Sequence, residues 1–179
     1  MADFINTIDV LGDSAVEDSI LARTITEFKD NRVTKVGGYA FYGCTALSEV
    51  DLPNATSIAD NGFNGCKSLV NAYVPSVTTA GSYAFANCTG LVTVDLSSCS
   101  FLNYRVYEKC TALQALILRY GSVCRMDTTN TFNNSSISSG TGYIYVPAAL
   151  VDSYKAATNW STYAAQIRAI EDYPNITGG

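Results

Sequence analysis

Tyr39-Ala40-Phe41-Tyr42-Gly43-Cys44-Thr45-Ala46-Leu47-Ser48-Glu49-Val50-Asp51-Leu52-Pro53 is the stretch whose reading decides the fold, because its pattern returns at a fixed step. Cys44, Cys66, Cys88 and Cys110 are each 22 residues apart. Three positions after each cysteine stand Leu47, Leu69, Leu91 and Leu113. Val50, Ala72, Val94 and Leu116 follow, and then Leu52, Val74, Leu96 and Leu118. An aromatic column, Phe41, Phe63, Phe85 and Tyr107, precedes the cysteines. Two aliphatic columns keep the same step: Val33, Ala55, Val77 and Cys99, and then Val36, Ile58, Ala80 and Leu102, continued by Cys124. Columns that hold size and polarity but not identity are the inward-facing rungs of a stacked array, in which each unit buries its apolar side only against its neighbours.

L-x-x-L-x-L at this period predicts an α/β solenoid: a right-handed leucine-rich-repeat stack of ~22-residue coils, each a short strand and a short helical turn. Gly43, Gly65 and Asn87, just before the cysteines, suit a left-handed turn at the end of a helical segment such as Tyr39–Tyr42. Lys109 departs from that choice and predicts a less regular coil. Pro53 and Pro75 follow the strand positions and stop the ladder there.

Backward, Ile25, Phe28, Val33 and Val36 keep the period, with Ala22 in the cysteine column. Asp13 or Ser14 can cap a helix over Ala15–Leu21, giving an N-terminal cap over 1–24. Forward, Phe132 comes 25 residues after Tyr107, so the period slips. Tyr143–Val146 reads as the last strand. Leu150, Val151, Tyr154 and Ala157, then Trp160, Tyr163, Ala164, Ile167 and Ile170, read as one or two helices closing the apolar end. The domains expected are a solenoid over 25–147 (about five to six coils), a C-terminal helical cap over 148–173 and a loose tail over 174–179.

The repeat unit resembles the BspA-type, or Treponema-type, leucine-rich repeat. Thr56-Ser57-Ile58 resembles that family's T-S-I-G stretch, with Ala59 in place of the usual glycine. Phe63–Val74 and Phe85–Leu96 repeat the match, so the resemblance covers roughly 25–147. Tyr145-Val146-Pro147-Ala148-Ala149-Leu150-Val151-Asp152-Ser153-Tyr154-Lys155 is similar to the end of many such proteins from gut bacteria and their prophages. The resemblance implies a surface or secreted protein engaged in adhesion and protein binding, or a component of a phage particle. It brings no catalytic residues with it.

Composition narrows the function in the same direction. The chain of 179 residues has no histidine, which removes the commonest general base and metal ligand. With 11 basic and 16 acidic residues and no basic cluster, nucleic acid is not an expected partner. No apolar run reaches the ~20 residues of a membrane span. Neither a secretory signal at Met1–Ile5 nor an anchor at the C-terminus is expected.

All six cysteines occupy columns filled elsewhere by Ala, Val, Ile or Leu. They read as small buried hydrophobes rather than as a disulfide ladder, and no C-x-x-C supports zinc. Asp51 and Asp95 lie two coils apart in one column, roughly 10 Å by strand spacing. That is the separation of an inverting glycosidase pair, but ordinary solvated surface is the better account without a cleft. No calcium-loop or phosphate-loop motif occurs. No catalytic, cofactor or metal residues are therefore expected, and the chain reads as a non-enzyme.

Binding is expected on the strand face. With Val50 and Leu52 inward, the outward ladder is Lys29, Asp51, Tyr73, Asp95 and Ile117, flanked by Glu27, Glu49, Asn71, Thr93 and Ala115. Tyr143 and Tyr145 extend it. The expected partner-binding residues are thus Asp51, Tyr73, Asp95, Ile117, Tyr143 and Tyr145, with tyrosines as anchors, for a protein or cell-surface ligand.

Overall fold

A computed structural model describes residues 10–11, as backbone, and residues 24–176. The expected helix over Ala15–Leu21 and the position of Ala22 lie outside the described residues. Each coil contributes one strand to each of two parallel sheets. The larger sheet has seven strands: β2 (Glu27–Lys29), β4 (Glu49–Asp51), β6 (Asn71–Tyr73), β8 (Thr93–Asp95), β10 (Ala115–Ile117), β12 (Tyr143–Val146) and β13 (Ile167–Ala169). The smaller has six strands of two residues: β1 (Val10–Leu11), β3 (Lys35–Val36), β5 (Ser57–Ile58), β7 (Thr79–Ala80), β9 (Phe101–Leu102) and β11 (Arg125–Met126).

Register follows the period. Val50 faces Ala72, and Ala72 faces Val94, so each rung lies over its homologue. Leu47, Leu52, Leu69, Leu91, Leu96 and Leu113 are fully buried between the sheets. Hydroxyls add a second tie between coils. Thr56, Thr78 and Ser100 donate to the carbonyls of Thr34, Thr56 and Thr78 at 3.0, 3.1 and 3.1 Å.

The Tyr39–Tyr42 segment is a tight turn rather than a helix. Tyr42 N–H bonds Tyr39 O at 3.0 Å, but Phe41 N–H reaches across to Gly62 O in the next coil at 2.8 Å. Alternate amides therefore leave the coil, and a helical ladder cannot propagate. Gly43, Gly65 and Asn87 do adopt positive φ. So does Lys109, at φ 59°, which keeps the same turn instead of loosening it. Tyr39, Asn61, Tyr83 and Arg105 form a second left-handed column that sequence reading did not expect.

The aromatic column is a continuous stack. Phe41–Phe63, Phe63–Phe85, Phe85–Tyr107 and Tyr107–Phe132 have centroids 5.0, 5.3, 5.7 and 5.6 Å apart and ring planes within 8° of parallel. The three extra residues before Phe132 are absorbed in the loop and the 3-10 turn Thr129–Phe132 without displacing the ring. Tyr107 alone in this stack carries a hydroxyl, and among the described residues that oxygen is buried without a partner. Leaving a buried hydroxyl unpaired costs about 1–3 kcal/mol. Tyr107→Phe should therefore raise unfolding stability, by about 1 kcal/mol in urea titrations. A loss of similar size would mean the hydroxyl is bonded.

The C-terminal segment differs from the helical pattern expected. A helix spans only Val151–Ala156, and 3-10 turns cover Ala148–Leu150, Trp160–Gln166 and Ile170–Asp172. Ile167, placed in a helix by its spacing from Trp160 and Tyr163, instead pairs with Ile144 in the final strand, β13. Tyr143–Val146 is consequently the next-to-last strand. A kink at Tyr163 (φ -110°, ψ 19°) releases the chain from helical geometry before β13. Two side chains fix this segment to the stack. Trp160 Nε1 donates to Cys124 O at 2.6 Å, and Cys124 N–H donates to the Tyr154 hydroxyl at 2.9 Å. Tyr173, beyond β13, packs against Tyr145 with centroids 5.2 Å apart.

Candidate interaction surface

The outward ladder is Lys29, Asp51, Tyr73, Asp95, Ile117, Tyr145 and Arg168, one residue per strand. Its flanking ladder is Glu27, Glu49, Asn71, Thr93, Ala115 and Tyr143. All six expected site residues thus lie on one sheet face. They do not lie in one environment. Lys29 is exposed and Asp51 and Tyr73 are half-buried, whereas Asp95, Ile117 and Tyr145 are 3, 0 and 5% exposed. Tyr143 is half-buried, with the Arg168 guanidinium 4.6 Å above its ring. The face is open over β2, β4 and β6 and closes from β8 onward.

Charge along the face is unevenly paired within the chain. The Lys29 ammonium lies 3.0 Å from Glu49 and 3.8 Å from Glu27. The hydrogen bond to Glu49 holds the Lys29 pKa above its ordinary value. Asp95 is tied on both oxygens: Oδ1 accepts from Ser97 N–H at 2.9 Å, and Oδ2 accepts from Arg119 Nη1 at 2.9 Å. Asp51 differs, because its Oδ1 is closed to solvent yet has no donor among the described residues. Tyr73, next to it in register, has no side-chain hydrogen bond or ring partner among the described residues.

The cysteines are free and buried. Cys66, Cys88 and Cys110 Sγ donate to Phe41, Phe63 and Phe85 carbonyls at 3.1, 3.0 and 3.0 Å, each in the preceding coil. The sequence carries no signal for this bond, since Ala22, which has no donor side chain, stands in the same column. Burial pushes the Cys88 and Cys110 thiols up, so both stay protonated at neutral pH. Cys99 and Cys124 sit 3.8 Å apart in the core. Among the described residues no group of three or more His, Cys, Asp or Glu is placed to hold a metal. Nor is any described helix long and apolar enough to cross a membrane.

The family model for the BspA-type leucine-rich repeat region matches residues 4–141, in 6 copies. The chain belongs to the BspA-type leucine-rich-repeat family. Repeats of this kind are generally protein-interaction scaffolds whose extended faces bind partners. Among solved structures, the fold is similar to leucine-rich repeat proteins from Eubacterium ventriosum and Bacteroides ovatus. The first has a TM-score of 0.58 at 20% identity, covering 70% of this chain and 34% of that one. The second has a TM-score of 0.58 at 23% identity, covering 80% and 35%. The Treponema pallidum leucine-rich repeat protein gives a TM-score of 0.53 at 20% identity, covering 80% of this chain and 74% of that one. This BspA-type chain therefore spans about a third of the length of the first two. At these identities the likeness is one of fold. No curated protein matches the chain.

Proposed function

We propose that this BspA-type chain is a non-catalytic interaction module that binds a protein or cell-surface ligand through the open half of its seven-stranded sheet, in an adhesion-like role. One observation carries the reading. Asp51 and Tyr73 sit side by side on an exposed sheet face, half-buried, with side-chain groups left unpaired among the described residues. An aromatic ring beside an unpaired carboxylate on a rigid, in-register scaffold is the kind of preorganised anchor that interfaces use. Ile117 and Tyr145 serve as the packed floor at the closed end, and Asp95 as a fixed wall beside Tyr73. Tyr143, under Arg168, forms the far rim.

The test is saturable binding of labelled protein to intact bacterial and epithelial cells by flow cytometry, beside a Tyr73→Ala/Asp51→Lys variant. Asp95 is a poor probe because its substitution would strip Arg119 of its carboxylate. Binding should saturate in the parent protein and vanish in the variant. Equal binding by both would move the site off this face. An absence of binding to any cell would point to a structural part of a particle or assembly.

A further inference from the structure

Asp51 and Asp95 occupy the same place two coils apart, and comparison of their surroundings shows what one has and the other lacks. Two residues after Asp95 stands Ser97, whose N–H donates to Oδ1 at 2.9 Å and whose hydroxyl also donates there. Twenty-four residues after Asp95 stands Arg119, whose Nη1 donates to Oδ2 at 2.9 Å and also to Ser97 Oγ at 2.9 Å. At Asp51 the corresponding positions are Pro53 and Pro75. Proline has no N–H and no side-chain donor, so Pro53 removes the counterpart of the two Ser97 donors to Oδ1 and Pro75 that of the Arg119 donor to Oδ2. Asp51 Oδ1, which is closed to solvent, therefore has no donor among the described residues, and Oδ2, on the solvent side, carries no hydrogen bond among them either. A carboxylate with one shielded oxygen lacking a donor gains most from a hydrogen-bonding cation at the other, Oδ2, the oxygen that a partner can reach.

Among the described residues no cation hydrogen-bonds Asp51, and Lys29 acts on it only through charge. Lys29, the neighbour of Asp51 on β2, is engaged by Glu49 and Glu27. Three carboxylates and one ammonium on Glu27, Lys29, Glu49 and Asp51 leave this half of the face negative. On the other side lies the Tyr73 ring, a surface on which a guanidinium can stack while its N–H groups reach a carboxylate.

We infer that the open face takes an arginine side chain from an extended segment of a partner protein, which does at Asp51 what Arg119 does within the chain at Asp95. The guanidinium lies over Tyr73 and donates to Asp51 Oδ2, the oxygen that corresponds to the one Arg119 bonds on Asp95, with the segment running across β4 and β6. This rests on the strand-face reading above and adds the chemistry of the partner.

The test is selection from a random dodecapeptide display library on the immobilised full-length protein, followed by affinity measurement of the winning peptides on four variants. Arginine should be enriched in the winners. Asp51→Asn keeps the shape and removes the charge, and it should weaken binding by about tenfold or more, as expected for loss of a charge-assisted hydrogen bond. Tyr73→Ala should weaken it as well. Pro75→Arg, which installs the counterpart of Arg119, should block binding by satisfying Asp51 from within. Asp152→Asn, the same charge change on the exposed C-terminal helix, should have no effect. Peptides without arginine or lysine that respond to Tyr73→Ala but not to Asp51→Asn would overturn this inference and leave the face reading intact. Peptides indifferent to both variants would overturn both.

Discussion

Phe85→Ala should lower the unfolding free energy by about 3–5 kcal/mol in urea titrations, the range for removing a buried aromatic ring from a core that cannot fully collapse around the gap. Phe85 is fully buried in the middle of the stack, with Phe63 on one side at 5.3 Å and Tyr107 on the other at 5.7 Å. Its carbonyl also accepts from Cys110 Sγ. The backbone on either side is pinned between coils, since Phe85 N–H bonds Val106 O at 2.9 Å and Asn87 N–H bonds Glu108 O at 2.8 Å. The cavity therefore persists instead of closing. Because each coil touches only its neighbours, the loss falls on an interface between two halves of the array. The same assay would show a broadened or two-step transition if the halves uncouple. A cost below about 1 kcal/mol would mean that the aromatic column does not hold the stack together.

Trp160→Ala is expected to be as costly, about 3–5 kcal/mol, but with a different signature. Trp160 is 1% exposed and packs on Phe132 and Tyr154. Its Nε1–H is the donor to Cys124 O, so truncation also strands a buried carbonyl. Asn159 holds the neighbouring carbonyl of Met126 through Nδ2 at 2.8 Å. These bonds shield the last strand of the smaller sheet, β11, from acting as an open edge. Amide hydrogen exchange in the variant should accelerate first in β11 and β13 and last around β6. Uniform acceleration along the chain would contradict the assignment of Trp160 as an end closure.

Much of this was legible in the sequence, and the reason is the period. A 22-residue step makes every inward column an independent statement of the same register, and the pairings of Val50 with Ala72 and of Asp51 with Tyr73 follow from it. The smaller sheet was not legible as strands. Pairs such as Lys35–Val36 and Ser57–Ile58 are too short to show alternation, and only their stacking makes them ladders. β13 was hidden by a helical spacing from Trp160 to Ile170 that serves 3-10 turns and then a strand. Lys109 reads as an interruption when residue type alone is the signal. The neighbouring coil instead imposes the left-handed turn through Lys109 N–H to Asn133 O at 2.9 Å.

The candidate surface was legible as a set of residues but not as an environment. Asp51 and Asp95 are the same residue in the same column. What separates them lies two and 24 residues downstream, where Pro53 and Pro75 stand in place of Ser97 and Arg119. Alternation alone makes Ile117 as accessible as Tyr73, yet it is fully buried at the closed end of the face. Exposure along a solenoid face depends on neighbouring coils and on the terminal segment, and a single column cannot report it.

The most direct measurement of the central claim is photo-crosslinking from two sites. A benzophenone amino acid would replace Asn71, exposed on the strand face beside Tyr73, in one protein and Tyr39, 42% exposed on the turn side, in another. Each would be irradiated on the cells to which the parent protein binds. The account predicts a discrete crosslinked partner from position 71 and none from position 39. A partner captured from position 39 alone would place the binding surface on the turns and contradict it.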